Sequence, residues 1–159
     1  MNNRFIEDYM KVLFICTGNK FRSPTAEHIL KCLAPHMEVK SAGTAEGASK
    51  NYLIAKKMRR CLVELGYPEP KIRSQHLTTE LMEWADIVLY MAPTHFGYMY
   101  LNHAEFIHKC KPLYTILLDL DLKRIEDPAF IKNHEDVMKV TKIIEDSIKK
   151  ILNDHAGSI

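Results

Sequence analysis

Cys16 and Arg22 stand six residues apart and bracket a short polar loop, Thr17-Gly18-Asn19-Lys20-Phe21. A free thiol titrates near ~8.5, and the thiolate is the nucleophilic form, so N–H donors gathered around a sulfur favour reaction. Arg22 carries a planar fork that matches two oxygens of a phosphoryl group and tightens as charge spreads over them. Thr17 to Ser23 can aim their backbone N–H groups at the same point, which makes an anion site. Within the loop, Gly18 is expected to take angles that a side chain would forbid. Asn19 is expected to hold the loop's shape through its amide, and Ser23 to donate to the sulfur. The chemistry this predicts is attack of sulfur on phosphorus, with Cys16 as nucleophile and Arg22 as clamp.

Such a loop works only if rigid elements aim it. Val12-Leu13-Phe14-Ile15 reads as a strand buried on both faces, running directly into Cys16. Pro24 is expected in the first turn of the following helix, read over 25–33, where its missing N–H costs nothing. Further strands are expected at 37–40, 86–91 and 113–118, with helices at 52–65 (stopped by Gly66), at a short segment capped by Thr78 or Thr79, in part of 93–103, and at 133–152. Strands alternating with helices predict an α/β fold with a parallel sheet and helices on both faces. In such folds the working loops gather at the carboxyl ends of the strands. The acidic segment 119–130 follows the fourth expected strand and so shares an edge with Cys16. A poor leaving group needs a proton, and Asp119, Asp121, Glu126 and Asp127 are the candidates there. Pro128 would restrict the turn after Asp127.

At 159 residues the chain is read as one domain, residues 11–159, after a short extension, 1–10, whose Phe5, Ile6 and Tyr9 could rest on the body. A net charge of +2 with no long basic run argues against nucleic acid as a partner. No stretch reads as a signal peptide or a membrane span. Cys16, Cys32, Cys61 and Cys110 form no CxxC pair, which suits free thiols and a cytoplasmic location. His95, His103, His108 and His134 match no familiar ligand spacing and are read as surface or partly packed side chains, so neither metal nor cofactor is expected. A nucleotide loop is excluded because G-x-x-x-x-G-K-[ST] is absent.

Taken together, Val-Leu-Phe-Ile-Cys-Thr-Gly-Asn-x-x-Arg-Ser-Pro-x-Ala-Glu from Val12 to Glu27 resembles the signature of the low-molecular-weight protein tyrosine phosphatases. The likeness continues through Ser41-Ala42-Gly43-Thr44, Gln75-His76-Leu77, Asp86-Ile87-Val88-Leu89 and Asp127-Pro128, in the family's order. It implies a three-layer fold with a four-stranded parallel sheet in the flavodoxin-like order 2-1-3-4. It also implies metal-free hydrolysis of phosphotyrosine or a related phosphomonoester through a phosphocysteine, with phosphate as product and inhibitor. Among the acidic candidates the resemblance selects Asp127 as general acid and base. The chain departs from the family at the rim. Gly47 and Ala129 stand where aromatic residues are usual, with Phe130 keeping one ring. Phe21 replaces a common second cysteine, Lys20 adds charge at the lip, Ile72 stands where a histidine often supports Asn19, and Ala92 where aspartate is common. Retained phosphatase chemistry with an altered tyrosine preference is therefore expected, with Phe96, Tyr98 and Tyr100 as a possible replacement wall. Two other readings are an arsenate reductase of the same fold, which lacks here a pair of thiols spaced for relay, and a phosphate-binding module without turnover.

Overall fold

A computed structural model describes residues 6–157. Four strands, β1 (Lys11–Cys16), β2 (Glu38–Gly43), β3 (Ile87–Tyr90) and β4 (Cys110–Pro112), form one parallel sheet in the order β2-β1-β3-β4. The expected order 2-1-3-4 is thus the observed one. β1 lies in the middle, with Phe14 opposite Ser41 on one side and Leu89 on the other. Period-two alternation sends its side chains into two separate cores. Val12 and Phe14 join Ile29, Leu30, Met58, Leu62, Ile144 and Ile148 beneath α1 (Arg22–Leu33), α2 (Lys56–Glu64) and α5 (His134–Gly157). Leu13 and Ile15 join Leu81, Met82, Val88 and Met99 beneath α3 (Thr79–Trp84) and α4 (Pro93–Asn102). Val12, Leu13, Phe14 and Ile15 are all fully buried, each worth about 1.5–3 kcal/mol of transfer free energy. The strand that carries the loop is therefore firmly seated between two cores. No described helix is long and apolar enough to cross a membrane.

Several boundaries differ from the sequence reading, each for a local reason. α1 begins at Arg22, three residues earlier than expected, so Pro24 is its third residue; its missing N–H still falls among the first-turn donors that no helix bond uses. The fourth strand is Cys110–Pro112 and not 113–118. Pro112 has no N–H to donate, and the chain turns at once through a single 3-10 turn, Leu113–Thr115. Leu113 and Ile116 are still buried, which is why the run is apolar, while Leu118 is exposed. α2 starts at Lys56 because the preceding residues are extended: Leu53 bridges Arg73, and the Ala55 amide donates to the Lys20 carbonyl at 2.9 Å. Gly66 follows α2 at φ +97°, in the C′ position expected of it, and Thr78 caps α3 by accepting from the Leu81 amide. Ile6 is buried in the core and Tyr9 is exposed, whereas Phe5 lies outside the described residues.

Candidate active site

The end of β1, the start of α1 and the segment after β4 meet at one edge of the sheet. There a cleft of about 200 Å³ is lined by Cys16, Thr17, Gly18, Lys20, Phe21, Arg22, Asp127 and Ala129. No side chain caps α1, and its first turn contains no acidic residue, so the helix presents open N–H donors to this cleft.

The loop's shape comes from Asn19, not Gly18. Asn19 takes the left-handed conformation (φ 55°), while Gly18 has no positive φ, and a Cβ there would meet nothing within 4 Å. Asn19 is fully buried, and its amide is used three times. Nδ2 donates to Ser23 Oγ at 2.8 Å and to Ser41 Oγ at 2.9 Å, and Oδ1 accepts from the Gln75 amide at 2.9 Å. Ser41 in turn donates to Glu27 at 2.6 Å, and Lys31 pairs with that carboxylate. These bonds run in one direction. Glu27 takes Ser41's proton, Ser41 must accept from Asn19, and Asn19 occupies a lone pair of Ser23. Ser23's own proton is left for Cys16 Sγ, 2.8 Å away. Glu27 thus supports Asn19 from α1, through Ser41.

Gly43 supports the loop from below. A Cβ there would stand 2.5 Å from the Thr17 carbonyl oxygen and 2.8 Å from the Ala48 Cβ. Gly43→Ala is expected to push the loop outward, lowering stability by about 1–3 kcal/mol and kcat/KM by more than tenfold. Thermal melts and steady-state kinetics check both, and wild-type values would mean that the loop's position is not critical.

Arg22 is 5% exposed, and its fork is held by three acceptors. Nη1 donates to the Ile125 carbonyl at 3.0 Å, and Nη2 reaches Thr17 Oγ1 at 3.3 Å and Asp127 Oδ2 at 3.4 Å. Asp127 is thereby brought beside the clamp across 105 residues of chain. Its Oδ1 caps the following turn by accepting from the Ala129 amide at 3.0 Å. The segment is pinned at both ends: the Ile125 amide donates to Met91 at 2.7 Å, and Lys57 Nζ donates to the carbonyls of Pro128 and Ile131 at 2.9 and 2.8 Å. Lys57 had no signal in the sequence, since a lysine on a helix reads as solvated.

His95 corrects the reading of the histidines. It is 1% exposed, and Nε2 lies 2.9 Å from Thr17 Oγ1. Burial first, and then the charge of Arg22, push its pKa down to about 3, so the ring is neutral. Its place just beyond the carboxyl end of β3 was the available signal. His103 is also buried, His108 is exposed, and His134 pairs with Glu64. Phe96, Tyr98 and Tyr100 line neither this cleft nor the groove beside it; Phe96 stacks on Tyr100 instead. That groove, about 600 Å³, shares Arg22 and Asp127 with the cleft and adds Arg124 and the exposed Phe130. Lys20 lies at the lip, with Nζ 4.4 Å above the Tyr52 ring.

The family model described as low molecular weight phosphotyrosine protein phosphatase matches residues 11–156. The chain belongs to that family. A low-molecular-weight protein-tyrosine-phosphatase of Staphylococcus epidermidis is 37% identical over 86 residues, covering 54% of this chain and 59% of the relative. The chain thus matches less than two thirds of that relative's length. The YwlE arginine phosphatase of Geobacillus stearothermophilus superposes with a TM-score of 0.81 at 29% identity, covering 93% of this chain and 94% of that one. The tyrosine phosphatase Wzb of Escherichia coli K30, solved with sulphate, gives 0.79 at 27% identity, covering 89% and 94%. Low-molecular-weight phosphatases with two named activities therefore share this architecture.

Proposed function

We propose that the protein is a cysteine-dependent phosphomonoesterase acting on phosphotyrosine or a related phosphomonoester. The observation that carries this is the placing of the Cys16 sulfur, the Arg22 fork and the Asp127 carboxyl around one cleft. The Cys16 thiolate attacks phosphorus, the S–P bond forms and the ester P–O bond breaks, while Asp127 gives its proton to the leaving oxygen. Water then attacks phosphorus and yields its proton to Asp127; the S–P bond breaks and phosphate leaves. Ser23 donates to the sulfur whenever it carries charge. Arg22 and the loop N–H groups of Thr17 to Ser23 hold the equatorial oxygens through both steps. Phosphate, as product, competes for the same donors.

No second thiol lines the cleft, which speaks against the reductase reading. Burial pushes the thiols of Cys32, Cys61 and Cys110 up, the last to about 11, which makes each a poor attacking group. All four cysteines are free, which supports a reducing, cytoplasmic setting.

A second reading follows from the arginine phosphatase relative. Lys20 weighs against it, because an ammonium at the lip repels the guanidinium of phosphoarginine and favours an acidic peptide. Neither Gly47 nor Ala129 brings a ring to stack on phosphotyrosine, which leaves Phe21 in the cleft and Phe130 in the groove beside it. Two missing aromatic contacts, about 0.5–1.5 kcal/mol each, reduce the preference for phosphotyrosine over phosphoserine by roughly 5- to 150-fold. Measured kcat/KM on matched peptides is expected to place phosphotyrosine first, phosphoserine within about two orders of magnitude, and phosphoarginine last. Fastest turnover of phosphoarginine would replace this reading with the second, and phosphate binding with no turnover of any peptide would reduce the protein to a binding module.

A further inference from the structure

Thr17 is exposed to the cleft through its side chain, and two groups behind it fix how its hydroxyl is used. Arg22 Nη2, which can only donate, approaches Oγ1 at 3.3 Å and occupies one lone pair. His95 Nε2 approaches the same oxygen at 2.9 Å. His95 Nδ1 is buried without a hydrogen-bond partner among the described residues. A neutral imidazole has one N–H, and two arrangements are open. If the proton is on Nδ1, a buried N–H goes unpaired, and Thr17 must spend its proton on Nε2. A lone pair of Oγ1 would then face a phosphoryl dianion. If the proton is on Nε2, it fills the second lone pair of Oγ1, and only a ring lone pair is left unpaired. Orphaned buried N–H groups are the rarer of the two defects. The hydroxyl proton of Thr17 then has no partner behind it and turns into the cleft.

We propose that His95, protonated on Nε2, positions the Thr17 hydroxyl as a side-chain donor to a phosphoryl oxygen bound over Cys16. This rests on reading the cleft as the phosphate site. His95 is a positioning residue and touches no substrate; Thr17 makes the contact. The device works because the ring is kept neutral. A second proton would place another buried N–H beside Arg22, and burial with the guanidinium charge opposes it. Both lone pairs of Thr17 stay engaged across the working pH range, so this donor does not titrate away.

The test has one arm that needs no activity. Nitrogen-15 chemical shifts of His95 in the unliganded protein are expected to show the Nε2–H tautomer between pH 5.5 and 8, and an Nδ1–H or doubly protonated ring would overturn the proposal. The second arm uses inorganic phosphate and 4-nitrophenyl phosphate. Thr17→Val is expected to weaken inhibition by phosphate roughly tenfold or more, the worth of one hydrogen bond to a charged group. Thr17→Ser is expected to recover most of it. His95→Ala is expected to lower phosphate affinity on its own but to add nothing to Thr17→Val, and His95→Gln, which keeps an N–H donor, to restore part of the loss. Additive losses, or full phosphate affinity in Thr17→Val, would overturn the role of the hydroxyl. Should no phosphomonoester be turned over by the wild-type protein, the proposed activity fails while the tautomer, and phosphate affinity of the same variants measured by calorimetry, still decide this inference.

Discussion

Cys16→Ser is expected to lower turnover of 4-nitrophenyl phosphate by at least ~10⁴-fold while phosphate is still bound. The size of the effect follows from the chemistry: at neutral pH an alcohol offers almost no alkoxide, so the first S–P bond has no equivalent. Binding survives because it is carried by groups the substitution leaves alone, namely the loop N–H donors, the open first turn of α1 and the Arg22 fork. Ser23 loses a sulfur as acceptor, and its hydroxyl can bond the new oxygen instead. Two measurements check this, single-turnover kinetics and the inhibition or calorimetric affinity for phosphate. Turnover within a hundredfold of wild type would remove Cys16 as nucleophile. Loss of both turnover and phosphate affinity would instead indicate that the loop had collapsed.

Asp127→Ala is the second large effect, and its signature is its dependence on the leaving group. General acid catalysis contributes about 10²–10⁴-fold when the departing oxygen is basic, and far less when it leaves readily as an anion. The loss in kcat/KM is therefore expected to be greatest for alkyl phosphates, large for phosphotyrosine and smaller for 4-nitrophenyl phosphate. Cys16 should still form the phosphocysteine rapidly with the activated ester, so a burst should precede slow turnover, because Asp127 is also the base for water in the second step. Removing the carboxylate also releases Arg22 Nη2 from its 3.4 Å partner, so phosphate should bind no more weakly than before. A uniform loss in kcat/KM across leaving groups would exclude a proton-donating role, and unchanged kcat on alkyl phosphates would remove Asp127 from the mechanism.

The part of the fold that a local pattern encodes was legible in the chain. Val12 to Ile15 form an uninterrupted apolar run, and only a central strand with helices on both sides can bury such a run. Cys16, Arg22 and Ser23 follow from it by simple adjacency. The sheet order came from family resemblance and is the order observed. What escaped depends on partners far away in sequence. Asn19, not Gly18, takes the left-handed angle because Ser41 and Gln75 supply the bonds that hold it there. The buried segment after Pro112 looks like a strand by composition, yet the missing N–H of a single proline ends the ladder. His95 differs in sequence from the other histidines only in following β3 directly, and it is the packing of α4 on β3 that brings it beside Thr17. Lys57 looks like any helical surface lysine until α2 lies against the carbonyls of Pro128 and Ile131.

Asn19 has a consequence for binding thermodynamics. A non-glycine residue at φ 55° is intrinsically unfavourable, and it persists here because three bonds from separate elements over-determine it. The donors of the loop are therefore already aimed before any ligand arrives. On the function proposed above, phosphate would have no loop to order on entry, so little conformational entropy would be lost and affinity would come almost directly from charge and hydrogen bonding. Loosening any one of Ser41, Gln75 or Glu27 would shift that balance, and the anion would then have to freeze a mobile loop as it binds.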